Sequence, residues 1–152
     1  MSISIQKTIA FLAVVMLGCT HAYSQEKVVL ITASEAALPS VPIGELSRRG
    51  VTRGPKITLV SPAKPNGNTS PLHFELKFET FGGAKIDPQA LKVSYLKKPP
   101  VDLTDRVKPF FQGALLDIKN AELPPGDHII RVDVKDTDGR LATGLFTLNV
   151  VP

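Results

Sequence analysis

The chain has 152 residues, with 18 lysines and arginines against 14 aspartates and glutamates. Lys7 belongs to the leader described below, so the rest of the chain carries 17 basic and 14 acidic residues, a net charge of +3. This mild excess does not resemble the concentrated basic surface of a nucleic-acid-binding protein. There is no tryptophan and only two tyrosines, which counts against a surface that stacks sugars.

Residues 1–24 are predicted to form a secretory signal peptide. Lys7 precedes the apolar run IAFLAVVML (residues 9–17), which is too short to span a bilayer because a spanning helix needs about 20 such residues. The small-residue signature AYS (residues 22–24) follows, and it predicts Gln25 as the first mature residue. No later segment is apolar enough to cross a membrane, so the mature chain is expected to be periplasmic or secreted.

The one cysteine of the chain, Cys19, allows an alternative. MLGC (residues 16–19) resembles the box at which bacterial lipoproteins are cut and acylated, although Leu17 and Met16 depart from its usual residues. Cleavage after Ser24 is favoured, and an outer-membrane lipoprotein anchored at Cys19 is the alternative. Either way the mature body has no thiol for a disulfide, so its stability must come from its core.

Residues 25–54 are predicted to be a flexible, mostly irregular linker, because no apolar period runs through them. VVLIT (residues 28–32) is a candidate strand that could dock on the domain, and the sequence leaves this open. Arg48, Arg49 and Arg53 could form an anionic docking spot, but a solvated linker is favoured.

From Lys56 onward, short runs alternate apolar and polar residues with the period of two that half-buried strands show. Pro99 and Pro100 bar their segment from a central strand, so it should either wrap an edge or cross between the sheets. About seven strands without a long helix predict an all-β, antiparallel two-sheet sandwich over residues 55–152, in which residues 56–150 alone carry the stability. The predicted strands lie in KITLVSP (56–62), LHFELKFET (72–80), LKVSY (91–95), ALLDIKNAEL (114–123), HIIRVDVK (128–135) and LATGLFTLNV (141–150).

Four stretches together resemble bacterial immunoglobulin-like domains: GPKITLVSP (54–62), IDPQALKVSYL (86–96), LPPGDHIIRVDVKDTDGR (123–140) and FTLNV (146–150). The resemblance covers residues 54–151, and small secreted single-domain bacterial proteins of unassigned function share it. It implies an immunoglobulin-like sandwich and says little about activity, because such sandwiches have many functions. His128 stands where these domains often have a tyrosine that pins a corner, and an imidazole can make a similar hydrogen bond.

Asp133, Asp136 and Asp138 are the candidate metal ligands of the chain. The run DTDG matches only the last half of a helix–loop–helix calcium loop, since Val134 stands two positions before Asp136 and Leu145 stands where a glutamate is needed. The favoured interpretation is that Asp136 and Asp138 stabilise a hairpin turn and that Asp133 faces solvent, so no metal is predicted.

No catalytic set stands out in the sequence. His73 is predicted to face outward and His128 inward, with no thiolate or second imidazole beside either. Asp102 and Asp105 lie in a loop, where a role in capping a turn is favoured over a catalytic pair. The sequence contains no nucleophile elbow, phosphate loop or cofactor motif. We therefore predict that the protein is not an enzyme.

The sequence thus favours a secreted or periplasmic, non-enzymatic immunoglobulin-like module. It would bind an unknown protein or cell-envelope component, not a nucleic acid, through a sheet edge or through loops. The alternative is a periplasmic ligand- or metal-binding protein that uses the aspartate-rich hairpin of residues 133–138.

Overall fold

The computed structural model of the protein describes residues 27–42, 54–64 and 66–152. None of the described helices is long and apolar enough to cross a membrane. Several predicted features lie outside the described residues: the signal peptide (residues 1–24), Cys19, Gln25, Arg48, Arg49 and Arg53. The strands are β1 (Val28–Val29), β2 (Lys56–Ser61), β3 (Leu72–Glu79), β4 (Lys92–Tyr95), β5 (Val101–Asp102), β6 (Leu115–Glu122), β7 (Gly126–Lys135) and β8 (Leu141–Val150). The helices are α1 (Ala33–Ala36) and α2 (Thr104–Val107), with 3-10 turns at Pro88–Ala90 and Lys108–Phe110.

The eight described strands form two four-stranded sheets, which confirms the predicted all-β sandwich. One sheet has the order β1-β6-β3-β2 and the other has the order β5-β4-β7-β8. Neighbouring strands are antiparallel, except that β1 runs parallel to β6. The longest pair is β7 with β8, from Gly126 opposite Val150 to Lys135 opposite Leu141. Of the two positions predicted for the segment of Pro99 and Pro100, the structure shows the edge, because β5 pairs only with β4.

The core lies between the two sheets, where the period-two pattern of the sequence places it. The apolar residues of β3 and β4 that were predicted to face inward are buried, while their polar neighbours are mostly exposed or half-buried. On β7 the inward face is also as predicted: His128, Ile130, Val132 and Val134 are all at most 1% exposed. Burying one such aliphatic side chain stabilises the fold by about 1.5–3 kcal/mol. The inward faces of these strands therefore fix how the two sheets pack and where their loops lie.

The segment that follows the predicted signal peptide is docked on the sandwich over its described part. Val28 pairs with Ala121, so VVLIT does contribute a short strand. Leu30 and Ile31 are 0% and 2% exposed, and both of their N–H groups donate to the carbonyl of Glu122, at 3.0 and 3.3 Å. Two side chains of this segment therefore belong to the core, which departs from the expectation that residues 56–150 carry the stability alone.

Polar contacts hold the same segment in place. Arg106 donates to both carboxylate oxygens of Glu35, at 2.8 and 2.7 Å, and these hydrogen bonds hold the pKa of Glu35 at about 2. Lys97 is 6% exposed, and its ammonium donates to the carbonyl of Ala36 at 2.9 Å and to the hydroxyl of Ser40 at 3.2 Å. An ion pair thus fastens α1 to α2, and a buried lysine fastens it to the segment that follows β4.

Candidate functional site

Asp133, the first of the three candidate metal ligands, lies on the outer face of β7. Arg131 donates two guanidinium N–H groups to its carboxylate, at 2.8 and 3.0 Å, and the hydroxyl of Thr143 donates a further hydrogen bond. The carboxylate is therefore partnered by side chains of β7 and β8, across the outer surface of the second sheet.

Asp136 and Asp138 lie in the turn between β7 and β8. Asp136 is 2% exposed, and its Oδ1 accepts the N–H groups of Asp138 and Arg140, at 3.0 and 2.8 Å. Asp138 points outward and lies 3.2 Å from the guanidinium of Arg140. Gly139 completes the turn with a φ of 83°, a conformation that glycine adopts without strain. Asp136 thus organises the turn through the main chain, as the sequence suggested.

The surroundings of these aspartates bear on metal binding. Across residues 27–42, 54–64 and 66–152, no three histidine, cysteine, aspartate or glutamate side chains are grouped so that they could hold a metal ion. The carboxylates of Asp133 and Asp136 are each occupied by hydrogen-bond donors of the fold itself.

His128 is buried and hydrogen-bonded through both ring nitrogens. Its Nε2 donates to the carbonyl of Pro124 at 2.7 Å, so its Nδ1 accepts from the hydroxyl of Tyr95 at 3.0 Å. Burial lowers the pKa of His128, and burial also raises the pKa of Tyr95 to about 12. Both groups are therefore neutral at pH 7, and the imidazole fills the corner role expected from its position after the Pro-Pro-Gly turn.

The remaining titratable groups singled out in the sequence also have structural partners. His73 faces outward, with its Nε2 2.7 Å from the carboxylate of Asp117 on the neighbouring strand. Asp102 accepts the N–H of Thr104 at 2.8 Å, which is the local turn contact predicted for it. The structure brings neither residue to a cavity wall together with the aspartates of the hairpin.

An open groove of about 820 Å³ lies at the end of the sandwich that carries the β7–β8 turn. Four segments line it: residues 78–80, 84–88, 113–114 and 135–139. Its floor is apolar, with Phe78 and Ile86 from the core, and Phe78 packs edge-on against Phe111 at 5.5 Å. Sequence reasoning missed this groove because its walls come from segments far apart in the chain.

The edge of β8 that faces away from β7 is the second notable surface. At its end, Asn68 donates to the carbonyl of Asn149 at 3.1 Å and accepts from the N–H of Val151 at 2.8 Å. The odd-numbered residues of β8 therefore turn their peptide groups away from β7, because these groups alternate along a strand. At the start of β8, Gly54 packs so closely on Leu141 that a Cβ on Gly54 would lie 2.1 Å from the carbonyl oxygen.

Between these two ends, the peptide groups of Thr143, Leu145 and Thr147 point away from β7, and Ile57 of β2 lies 3.5 Å from the position that a Cβ on Gly144 would take. These three peptide groups form no main-chain hydrogen bond to another residue of the described chain. Their side chains lie on the outer face of the sheet, where Leu145 is 41% exposed. No residue of β8 carries a charge and none is proline. Such an edge resembles the strands to which extended chains add.

The other three sheet edges in the described part of the chain are blunted. Pro55 and Pro62 flank β2, and the register of β2 with β3 shifts near its end. β1 and β5 have only two residues each, and two prolines come directly before β5. Prolines, register shifts and short length are the usual protections against edge pairing. β8 therefore stands apart from the other edges.

No protein-family model matches the chain, and the search of curated proteins found no match. Among solved structures, the chain is similar to the crystal structure of CopC from Methylosinus trichosporium OB3b. The two chains are 21% identical with a TM-score of 0.42, over 64% of this chain and 95% of that chain. A likeness at this level carries no information about function.

Proposed function

We propose that this protein is a periplasmic or secreted, non-enzymatic immunoglobulin-like module that binds a protein of the cell envelope through the edge of β8. The observation that carries the proposal is the contrast between β8 and the three blunted edges. An extended segment of a partner could pair with the outward peptide groups of Thr143, Leu145 and Thr147. Residues on the outer face, Leu145 above all, would then select the side chains of that segment.

The proposal that the protein is not an enzyme is supported by the structural roles of the groups whose pKa values are shifted. The pKa of Glu35 is lowered by an ion pair that fastens α1, and that of His128 is lowered in a buried corner contact. A shifted pKa often marks an active site, but here each shifted group named serves packing.

The test uses the mature protein as bait in an extract of its own cell envelope, followed by hydrogen exchange on the complex. Pairing at β8 should slow amide exchange at Thr143, Leu145 and Thr147. Leu145→Lys should reduce capture at least about tenfold, because a lysine on an edge strand disfavours further pairing. Val29→Lys, at a similarly exposed apolar residue of the edge strand β1, is the matched control and should leave capture unchanged.

Two outcomes would contradict the role of this edge. Equal loss of capture with Leu145→Lys and Val29→Lys would show a general charge effect. Protection confined to the loops around the groove would move the partner surface to that end of the sandwich.

The proposed location follows from the predicted leader and has its own test. Mass spectrometry of the mature protein should find an unlipidated amino terminus at Gln25. A diacylated Cys19 would instead make the protein a lipoprotein of the outer membrane, anchored at Cys19.

A second candidate function is ligand binding, and the groove favours it. Residues Lys135, Asp136 and Thr137 of the predicted hairpin line the groove, and its volume lies within the range of about 300–1,000 Å³ of small-molecule sites. The ligand would then contact the hairpin named in the sequence-based alternative.

A further inference from the structure

Some polar groups of the groove are hydrogen-bonded within the fold, and others have no such partner. The carboxylate of Asp136 accepts two main-chain N–H groups, and that of Asp87 accepts the N–H of Gln89 at 2.9 Å. The hydroxyl of Thr137 accepts the N–H of Lys85 at 3.1 Å. These groups hold the loops together and are not free to select a ligand.

Two cations on the groove wall have no such use. Neither Lys85 nor Lys135 has an ion-pair partner within residues 27–42, 54–64 and 66–152. Both are exposed, and of the two carboxylates in the lining, Asp136 has Arg140 beside it at 3.8 Å. The lining therefore holds two lysines and two aspartates, and what sets the lysines apart is that neither has an ion-pair partner among the described residues.

The main chain fixes both lysines on one wall. The carbonyl of Lys85 accepts the N–H of Thr137, and the carbonyl of Lys135 accepts the N–H of Asp87, each at 2.8 Å. The Lys135 side chain runs past Gly139, where a Cβ would lie 3.7 Å from its Cε. The two lysines thus lie on neighbouring segments that main-chain hydrogen bonds hold together.

The remaining lining is apolar and offers little to a peptide backbone. Ala84, Ile86 and Pro88 form one side, and Ala114 faces them with Phe78 below. Main-chain hydrogen bonds join Lys85 to Thr137, Lys135 to Asp87, and the Phe78 N–H to the Ala114 carbonyl, each at 2.8 Å, and they occupy several of the peptide groups of both walls. An extended peptide needs such groups to pair with, whereas an alkyl chain does not.

We infer that the groove binds a long-chain carboxylate, with its alkyl chain on the apolar floor and its carboxylate between Lys85 and Lys135. This inference rests on the second candidate function, ligand binding in the groove. It is independent of the β8 edge.

The test measures binding of dodecanoate below its critical micelle concentration by calorimetry, beside dodecanol, dodecyltrimethylammonium and acetate. Dodecanoate should bind at least about tenfold more tightly than dodecanol, because each charge-assisted contact favours the anion. Dodecyltrimethylammonium and acetate should bind more weakly still.

Variants separate the two parts of the inference. Lys85→Gln combined with Lys135→Gln should lower the affinity for dodecanoate to that for dodecanol, and Lys92→Gln, on the outer face of β4, is the matched control. Ala114→Phe should fill the groove and abolish binding of both probes. An unchanged melting temperature in each variant shows that the fold is intact, and Ala114→Phe should leave capture through β8 unchanged.

Each alternative result has a distinct meaning. Equal binding of dodecanoate and dodecanol, indifferent to the lysine variants, would overturn the anion preference and keep a ligand-binding groove. No binding of any probe, or binding only by micelles, would overturn the inference and the ligand-binding function together. Neither result would affect the proposed partner edge.

Discussion

The segment of residues 27–42 and the stretch of residues 123–140 contribute to the same core. They differ in whether the local sequence pattern predicts this. The stretch 123–140 alternates residue by residue and ends in a turn sequence, and it forms the strand and hairpin that this pattern predicts. The earlier segment has no period, yet Leu30 and Ile31 are among the most buried residues of the protein. A side chain can thus belong to the core without any local pattern, when a single turn of chain docks against an existing sheet.

The sharpest test of this comparison is Leu30→Ala. Because Leu30 is fully buried, its truncation should lower the free energy of unfolding by about 2–5 kcal/mol, measured by urea denaturation. Val132→Ala, in the strongly patterned stretch, should cost about 1–3 kcal/mol. Val29→Ala is the control, since Val29 is 48% exposed. If Leu30→Ala cost no more than this control, the segment would not be part of the core in solution.

The second prediction concerns the hairpin turn of the patterned stretch. Asp136→Ala should cost about 1–3 kcal/mol, because it leaves two main-chain N–H groups near a buried site without their acceptor. Asp138→Ala should cost clearly less, since that carboxylate is exposed. Thermal melts of both variants would compare them, and equal costs would mean that Asp136 is not the organiser of the turn.

The third prediction separates the two regions by pH. Folding lowers the pKa of Glu35 from its ordinary value of 4.5 to about 2, so the unfolded chain binds more protons than the folded one between these values. The stability from Glu35 is therefore fully present above about pH 4.5 and is lost as the pH falls through about 2. Glu35→Gln should cost about 1–2 kcal/mol at pH 7 and progressively less in acid, as followed by urea denaturation.

Arg106→Gln is the matched change for this ion pair. Its cost should overlap with that of Glu35→Gln in the double variant, because both remove the same interaction. Additive costs, or a cost of Glu35→Gln that stays constant down to pH 2, would contradict the role of the pair.

The smallest effect is expected at Asp133. Its pair with Arg131 is partly exposed, so Asp133→Ala should cost less than about 1 kcal/mol. The cost should be the same with calcium, copper or zinc as with chelator, measured by thermal melts. A metal-dependent shift that disappears when Asp136→Ala and Asp138→Ala are combined would support the metal-binding alternative.

The candidate surfaces were predictable only in part. The sequence indicated a sheet edge or loops as the binding surface, and the absence of charge and proline in residues 141–150 is visible in it. It could not show that β8 is an edge, since strand order depends on how distant segments pair. Nor could it show that Lys85 and Lys135 share one wall, because fifty residues of chain separate two segments that main-chain hydrogen bonds join.

By itself, the sequence determined the strands, their inward faces and the hairpin turn, because period-two alternation and turn residues act over a few neighbours. Tertiary structure alone decided that Leu30 and Ile31 join the core and that Glu35 meets Arg106. It also decided that, within the described part of the chain, one side of β8 has no partner strand along residues 143–147 and that an apolar groove opens at one end of the sandwich. These features depend on contacts between segments far apart in the chain, whose geometry exists only once the two sheets have packed against each other.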